Sequence, residues 1–258
     1  MKRFTLVALM MCLSVIAFAQ KPVKFGVYLG GAAPLGNLGQ GDEVKTDAVH
    51  PYGDLSNYAL LKKAGKQGYA GAGFDLGFDV TVNLPVEGLG VFGGLDLFYN
   101  SNNSDISDAH ETYKKEWEKV VGHSEFTYSL PNFINIPILF GVNYQHNFNN
   151  IVGLFCEAGV GPNFRLISDY EVKYKYVGAE DEKTTYNYKA ATTLGFKVGA
   201  GVMMWDKMSI VLDFYSLGSA KIEGTAKSEG GGPDTSFELK GDNAISASEL
   251  VLRVGYHF

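Results

Sequence analysis

A search for chemistry in this chain begins with seven charged residues: Asp75, Asp79, Asp96, Glu157, Lys197, Asp213 and Arg253. Each lies in a segment of two-residue alternation, on the side opposite a run of apolar side chains. In a β-strand that alternation sends the two sets to opposite faces. The seven therefore project to one common side of the sheet the chain builds. Charges gathered there can line a path for ions or protons, or they can pair and fill the space as a polar plug, because buried charges persist only when they are compensated. Asp213 and Arg253 make the best pair, on adjacent strands at similar heights. Lys197 is placed to meet Glu157 or Asp213.

The remaining candidates are weaker. The histidines are His50, His110, His123, His146 and His257, and none has the H-E-x-x-H spacing of a metal site. Asn102, Asn103, Asp105 and Asp108 offer oxygen ligands for calcium but miss the EF-hand spacing, so they read as a solvated loop. Gly71-Ala72-Gly73 and Gly199-Ala200-Gly201 fall inside strands, where glycine eases curvature and close packing. Gly65-Lys66 lacks the rest of a phosphate-binding loop. No catalytic, cofactor-binding or metal-ligating residue is assigned. The expectation is a non-enzymatic protein without a cofactor. The formal charge of -6 and the absence of a basic patch interleaved with aromatics exclude a nucleic-acid partner.

The elements that position these charges follow from the same alternation. It predicts about eight strands: Lys24 to Gly31, Tyr69 to Val82, Leu89 to Asn100, Glu125 to Tyr144, Ile151 to Leu166, Lys189 to Met204, Met208 to Leu217 and Ala247 to Phe258. Apolar stripes mark one face, such as Phe74, Leu76, Phe78, Val80 and Val82, or Ile134, Ile136, Ile138, Phe140 and Val142. Between strands, long connections (Ala32 to Gln67, Ser101 to Ser124, Ile167 to Tyr188, Gly218 to Ser246) alternate with short ones (Asn83 to Gly88, Gln145 to Asn150, Trp205 to Lys207). Ser107 to Val121 has helical composition and predicts a short helix in the second long connection. Aromatics gather near strand ends: Phe98 and Tyr99 at the long-loop end, and Tyr144, Phe148, Trp205, Tyr256 and Phe258 at the other. Those that point outward suit an interfacial girdle.

The ends of the chain bear on location. Met1-Lys2-Arg3, the apolar run from Phe4 to Phe18, and Ala17-Phe18-Ala19 before Gln20 form the pattern of a cleavable export signal. The run is shorter than the roughly 20 residues of a spanning helix. Leu9-Met10-Met11-Cys12 lacks the small residues of a lipoprotein site. The expected division is a signal peptide over residues 1–19 and one domain over residues 20–258, with Cys156 as its single cysteine and no internal disulfide. Leu252, Val254, Tyr256 and Phe258 give the last strand the alternating apolar-aromatic form that outer-membrane barrels present to their assembly machinery. No later segment is apolar for the length of a membrane helix, so a membrane location requires a closed barrel. Long outer loops, tight periplasmic turns and inward charges agree with that location.

Four segments resemble the outer-membrane β-barrel proteins of the Bacteroidetes, the porin-like group often called the PorT family. They are Asn135-Ile136-Pro137-Ile138-Leu139-Phe140, Glu157-Ala158-Gly159-Val160-Gly161-Pro162, Gly195-Phe196-Lys197-Val198-Gly199-Ala200-Gly201-Val202 and Val254-Gly255-Tyr256-His257-Phe258. Asp213-Phe214-Tyr215-Ser216 departs from relatives that carry a basic residue in that strand. The resemblance implies an outer-membrane barrel, and one branch of the group takes part in secretion.

The expected fold is an all-β, antiparallel, up-and-down transmembrane barrel of about eight strands with a plugged lumen. The expected protein is a monomer in the cell outer membrane. Its partners are membrane lipid and lipopolysaccharide, the barrel-assembly machinery, and a ligand of the outer loops. The leading function is adhesion, ligand capture or envelope support through those loops. The alternatives are small-solute passage past Asp96, Lys197, Asp213 and Arg253, a role in secretion, a soluble periplasmic ligand-binding barrel, and a lipid-modifying enzyme using His110, His123 and Ser124 at the outer rim.

Overall fold

The computed structural model describes residues 23–39, 68–121 and 125–258. Within them run eleven strands and one helix. In chain order they are β1 (Lys24–Leu35), β2 (Ala70–Asn83), β3 (Leu89–Asn102), α1 (Ser104–Val121), β4 (Glu125–Ser129), β5 (Phe133–Asn147), β6 (Val152–Ile167), β7 (Tyr170–Lys175), β8 (Glu182–Tyr188), β9 (Ala191–Met204), β10 (Met208–Glu229) and β11 (Thr235–His257). The predicted residues 1–19, together with His50, Gly65-Lys66, His123 and Ser124, lie outside the described residues.

Eight strands close a ring in the order β1-β2-β3-β5-β6-β9-β10-β11, every neighbour antiparallel. Closure is made by β1 against β11, from Gly26↔His257 to Leu35↔Ser248. The ring leaves no sheet edge facing lipid, which is what a spanning sheet requires. Period-two alternation puts Phe25, Val27, Leu29, Phe74, Leu76, Phe78, Leu212, Leu252 and Val254 on the exposed outer face. The charged set turns inward. An eight-stranded barrel has an interior that side chains fill.

The two ends differ. At one end the ring strands meet through short turns, residues 84–88, 148–151 and 205–207. In the last of these, Trp205 and Asp206 both have positive φ (53° and 55°), and the Lys207 amide donates to the Met204 carbonyl at 3.0 Å. Positive φ at both central residues is the mark of the hairpin turn that matches strand twist. At the other end the described parts of the later connections are built into strands and a helix. β10 and β11 run on past the ring as a hairpin. Near Gly218 (φ 74°) the register shifts, and β10 exchanges its partner β9 for β8. β8 then pairs with β7, and β7 with β4, so the sheet wall continues above the ring. α1 packs on β4 at this end.

Five sequence expectations change. The single fourth strand over Glu125 to Tyr144 is two strands, β4 and β5, separated at Leu130-Pro131-Asn132. Pro131 has no amide to donate and restricts the residue before it, and β4 leaves the ring to pair with β7. The long connection from Ile167 to Tyr188 contains the β7–β8 hairpin. The connection from Gly218 to Ser246 is mostly strand. The helix begins at Ser104, because the Asn103 side chain caps it by accepting the Ile106 amide at 3.2 Å. Phe98 is not a girdle residue: its parity turns it inward, where it is buried and packs edge-on against Tyr215 at 4.8 Å between ring centroids. Tyr99 does face outward, stacked on Phe74.

Candidate functional site

Arg253 organises the lumen. From β11 its Nε meets Asp213 Oδ2 at 2.7 Å, Nη1 donates to Asp96 Oδ1 at 3.0 Å, and Nη2 donates to Glu157 Oε1 at 2.9 Å. Asp75 Oδ2 lies 3.8 Å from Nη1. Four carboxylates from β2, β3, β6 and β10 thus converge on one guanidinium, whose planar fork presents several donors in fixed directions. Lys197 on β9 meets the same Glu157 Oε1 at 2.9 Å, with its ammonium 4.8 Å from the centre of the Phe92 ring. The Tyr215 hydroxyl donates to Asp96 Oδ2 at 3.0 Å, and the Tyr28 ring lies 4.2 Å from the Arg253 guanidinium carbon.

Glycines make the room. A β-carbon on Gly77 would stand 2.5 Å from Asp96 Oδ1 and 3.1 Å from Arg253 Nη1, and one on Gly199 would collide with the Asp213 carboxylate. Charges on one strand therefore occupy the space that glycines leave on the next.

Further polar groups lie below and above this layer. Toward the short-turn end, the Tyr28 hydroxyl donates to Asp79 Oδ2 at 2.7 Å, and Ser209 Oγ meets His257 Nε2 at 3.0 Å. Beyond them a cavity of about 580 Å³ opens among Lys24, Asn83, Glu87, Gln145, Asn147 and Asp206. Toward the long-loop end, Arg165 is fully enclosed. Its Nη1 donates to the Ile245 carbonyl at 2.9 Å, its Nη2 to the Gly218 carbonyl at 3.1 Å, and its Nε to Asn135 Oδ1 at 3.2 Å. The Asn163 amide joins the same cluster, donating to Asn135 Oδ1 and to the Leu217 carbonyl.

An aromatic cap closes the long-loop end. Ile106, Tyr113 and Trp117 of α1 pack with Phe126 of β4, Tyr170 and Val172 of β7, Tyr186 of β8, and Ile222 and Ala226 of β10. That apolar cluster continues without a break into the lumen residues Phe98, Phe133, Leu139, Tyr215, Leu217 and Val251. Within the cap His110 is buried. Its Nδ1 lies 2.8 Å from the Ile106 carbonyl and its Nε2 2.9 Å from the Tyr170 hydroxyl. Burial holds its pKa below the ordinary value, partly offset by the Ile106 carbonyl. On the outer side of the cap sheet, ion pairs join Lys175 to Glu125 (2.6 Å) and Lys183 to Glu171 (2.7 Å).

All seven charges singled out by alternation are buried on the inner side of the ring. Six of them share one region around Arg253 and Lys197, and Asp79 stands below with Tyr28. Lys197 reaches Glu157. The neutralisation expected among them is partial: among the described residues, and including Glu249, six buried carboxylates face three buried cations, Arg165, Lys197 and Arg253. Arg165 and Glu249 were missed. Both were signalled by parity, since Arg165 lies eight residues beyond Glu157 and Glu249 four before Arg253, inside predicted strands. Tyr28, Tyr215, Asn135 and Asn163 follow the same parity. The calcium reading of Asn102 and Asn103 meets a competing use: Asn102 Nδ2 donates to the Pro131 carbonyl at 2.6 Å, and Asn103 caps α1. Among the described residues, no three His, Cys, Asp or Glu side chains are arranged to hold a metal ion.

A closed antiparallel ring with an apolar exterior and a charged interior is the form of a membrane-spanning barrel. Residues 5–258 match the family described as outer membrane protein beta-barrel domain, and the chain belongs to it. It is an outer-membrane protein. No curated protein matches. Among solved structures the chain is similar to the attachment invasion locus protein Ail of Yersinia pestis (12% identity, 92% of this chain and 100% of that one covered, TM-score 0.37). It is similar to a major outer membrane protein of Thermus thermophilus (14%, 92% and 100%, TM-score 0.42). It is also similar to the outer membrane protein OprG of Pseudomonas aeruginosa (13%, 92% and 97%, TM-score 0.38).

Proposed function

We propose that this protein is a non-enzymatic surface protein that works through its cap, by adhesion, ligand capture or envelope support. The observation that carries this reading is the division of labour in the fold. The lumen is filled by ion-paired side chains and capped by an apolar cluster, which opposes steady passage of solute. Among the described residues, the chain outside the ring includes a sheet extension and a helix, and connections held on a rigid scaffold are where binding specificity resides.

The long-loop end then faces the exterior and the short turns face the periplasm, after export directed by residues 1–19. The outward row Leu252, Val254 and Tyr256 on β11, continued by Phe258 just past it, serves the assembly machinery, and membrane lipid and lipopolysaccharide surround the ring of a monomer. The motifs quoted above support placement in the porin-like PorT group of the Bacteroidetes. A part in secretion is the family-level alternative.

A second reading, porin-like passage of small solutes, draws on the 580 Å³ opening at the short-turn end. Conductance of the refolded protein in planar bilayers separates the two. The cap reading expects no stable open level, whereas reproducible unitary steps would replace it with the transport reading.

A further inference from the structure

The turns fix the rim of the polar opening at the short-turn end. The Gln145 backbone amide of β5 donates to the Gly88 carbonyl at 2.7 Å, and the Trp205 amide to the Ile151 carbonyl at 2.8 Å. Gly88 has positive φ (77°), and a β-carbon there would collide with the Gln145 carbonyl oxygen. The Gln145 side chain donates to Asn147 Oδ1 at 2.7 Å and to Asp206 Oδ1 at 2.8 Å, tying β5 to the β9–β10 turn. Below the rim, Asn143 Nδ2 donates to Thr81 Oγ1 at 3.3 Å, and the Tyr28–Asp79 pair lies deeper. The volume, about 580 Å³, suits a small ligand.

The groups left over define that ligand. Both Gln145 side-chain hydrogens are taken, so its Oε1 remains an acceptor, and Asp206 Oδ2 receives no hydrogen bond from the described residues. Across the opening, Lys24 and Asn83 bring donors, and neither side chain is hydrogen-bonded within the described residues. Charges of both signs are present, Lys24 against Glu87 and Asp206. This disfavours a strongly charged ligand and favours one that carries hydroxyl and amide groups. Leu84, Val86 and Tyr144 line the same space, with Val86 60% and Tyr144 46% exposed, and place apolar surface beside the polar groups. A sugar ring has this mixed character, with hydroxyls at its edge and C–H groups on its faces. An N-acetyl group adds an amide that matches a side-chain amide, and a methyl for the apolar surface.

We propose that this basin binds an uncharged, N-acetylated sugar segment, the chemistry of a cell-wall glycan, at a site separate from the cap. The binding follows from the basin alone. Its encounter with the wall rests on the orientation proposed above.

Trp205 is 58% exposed and adjoins Asp206, so it reports on the basin, whereas the other tryptophan, Trp117, lies in the cap. Titration of the refolded barrel with triacetylchitotriose should give a saturable change in tryptophan fluorescence, which Trp205→Phe removes. Cellotriose has the hydroxyls without the acetamido groups and should bind more weakly by about tenfold or more. Gln145→Met and Asn83→Ala, each keeping the boiling shift of the barrel, should weaken triacetylchitotriose binding about tenfold. Should Gln145→Met lose that shift, Asn83→Ala alone decides. No saturation, equal affinity for cellotriose, or wild-type affinity in either folded variant overturns the proposal. A fluorescence change that persists in Trp205→Phe also overturns it, because that signal comes from the cap.

Discussion

Arg253 on β11 donates to Glu157 on β6 at 2.9 Å, joining residues 96 positions apart through the interior of the barrel. The two strands are not neighbours: β10 and β9 stand between them in one direction. The link is therefore a strut across the lumen, additional to the ladder hydrogen bonds of the wall.

Removing the guanidinium should expose the value of that strut. Arg253→Met leaves Asp96, Glu157 and Asp213 buried without their shared partner, and breaking a buried pair from one side costs about 3–5 kcal/mol. Arg253→Lys should also lose stability, because one ammonium cannot reach three separated acceptors. Urea unfolding followed by the gel shift between boiled and unboiled samples checks both. Wild-type midpoints would deny Arg253 its organising role.

Gly77 should tolerate no side chain. A β-carbon there meets Asp96 and Arg253 together, and overpacking of this kind costs about 1–3 kcal/mol. Gly77→Val should fold in lower yield and unfold at lower urea. Gly31, where nothing lies within 4 Å of an added β-carbon, should accept the same change.

The outer face should behave as a lipid face. Leu212 is 53% exposed on β10, and an arginine on the lipid side of a barrel costs up to about 2–4 kcal/mol, depending on depth. Leu212→Arg should be destabilised in lipid vesicles. Lys227→Glu, on the cap sheet, should be near neutral. Equal effects at the two positions would contradict the assignment of the faces.

The cap should loosen without the ring. Phe126 is fully buried between Tyr113, Tyr128 and Tyr174, and Phe→Ala in a packed core costs about 3–5 kcal/mol. Limited proteolysis of Phe126→Ala should cut within the cap while the boiling shift of the barrel persists.

The ring and its inner face were legible because both depend on alternation alone, a local property of each strand. Counting in twos puts Asp75, Asp79, Asp96, Glu157, Lys197, Asp213 and Arg253 on one face, the face that the ring buries, and the same count carried to strand ends finds Arg165 and Glu249. The cap was not legible as a unit. Tyr170, Val172 and Tyr174 alternate as a strand should, yet β7 acquires a role only through pairing with β4 and β8. Alternation alone runs its partner β4 into β5 across Pro131. Which acceptor Arg253 takes was equally hidden, since it depends on the curvature that brings β3, β6 and β10 to one point.

The central claim is a barrel that presents its cap to the outside of the cell. Two single-cysteine variants in a Cys156→Ser background test it: Val177→Cys at the exposed β7–β8 turn, and Glu87→Cys at the β2–β3 turn. A membrane-impermeant maleimide applied to intact cells should label Val177→Cys, and should label Glu87→Cys only after the outer membrane is opened. Labelling of Glu87→Cys on intact cells, with Val177→Cys protected, would contradict the account.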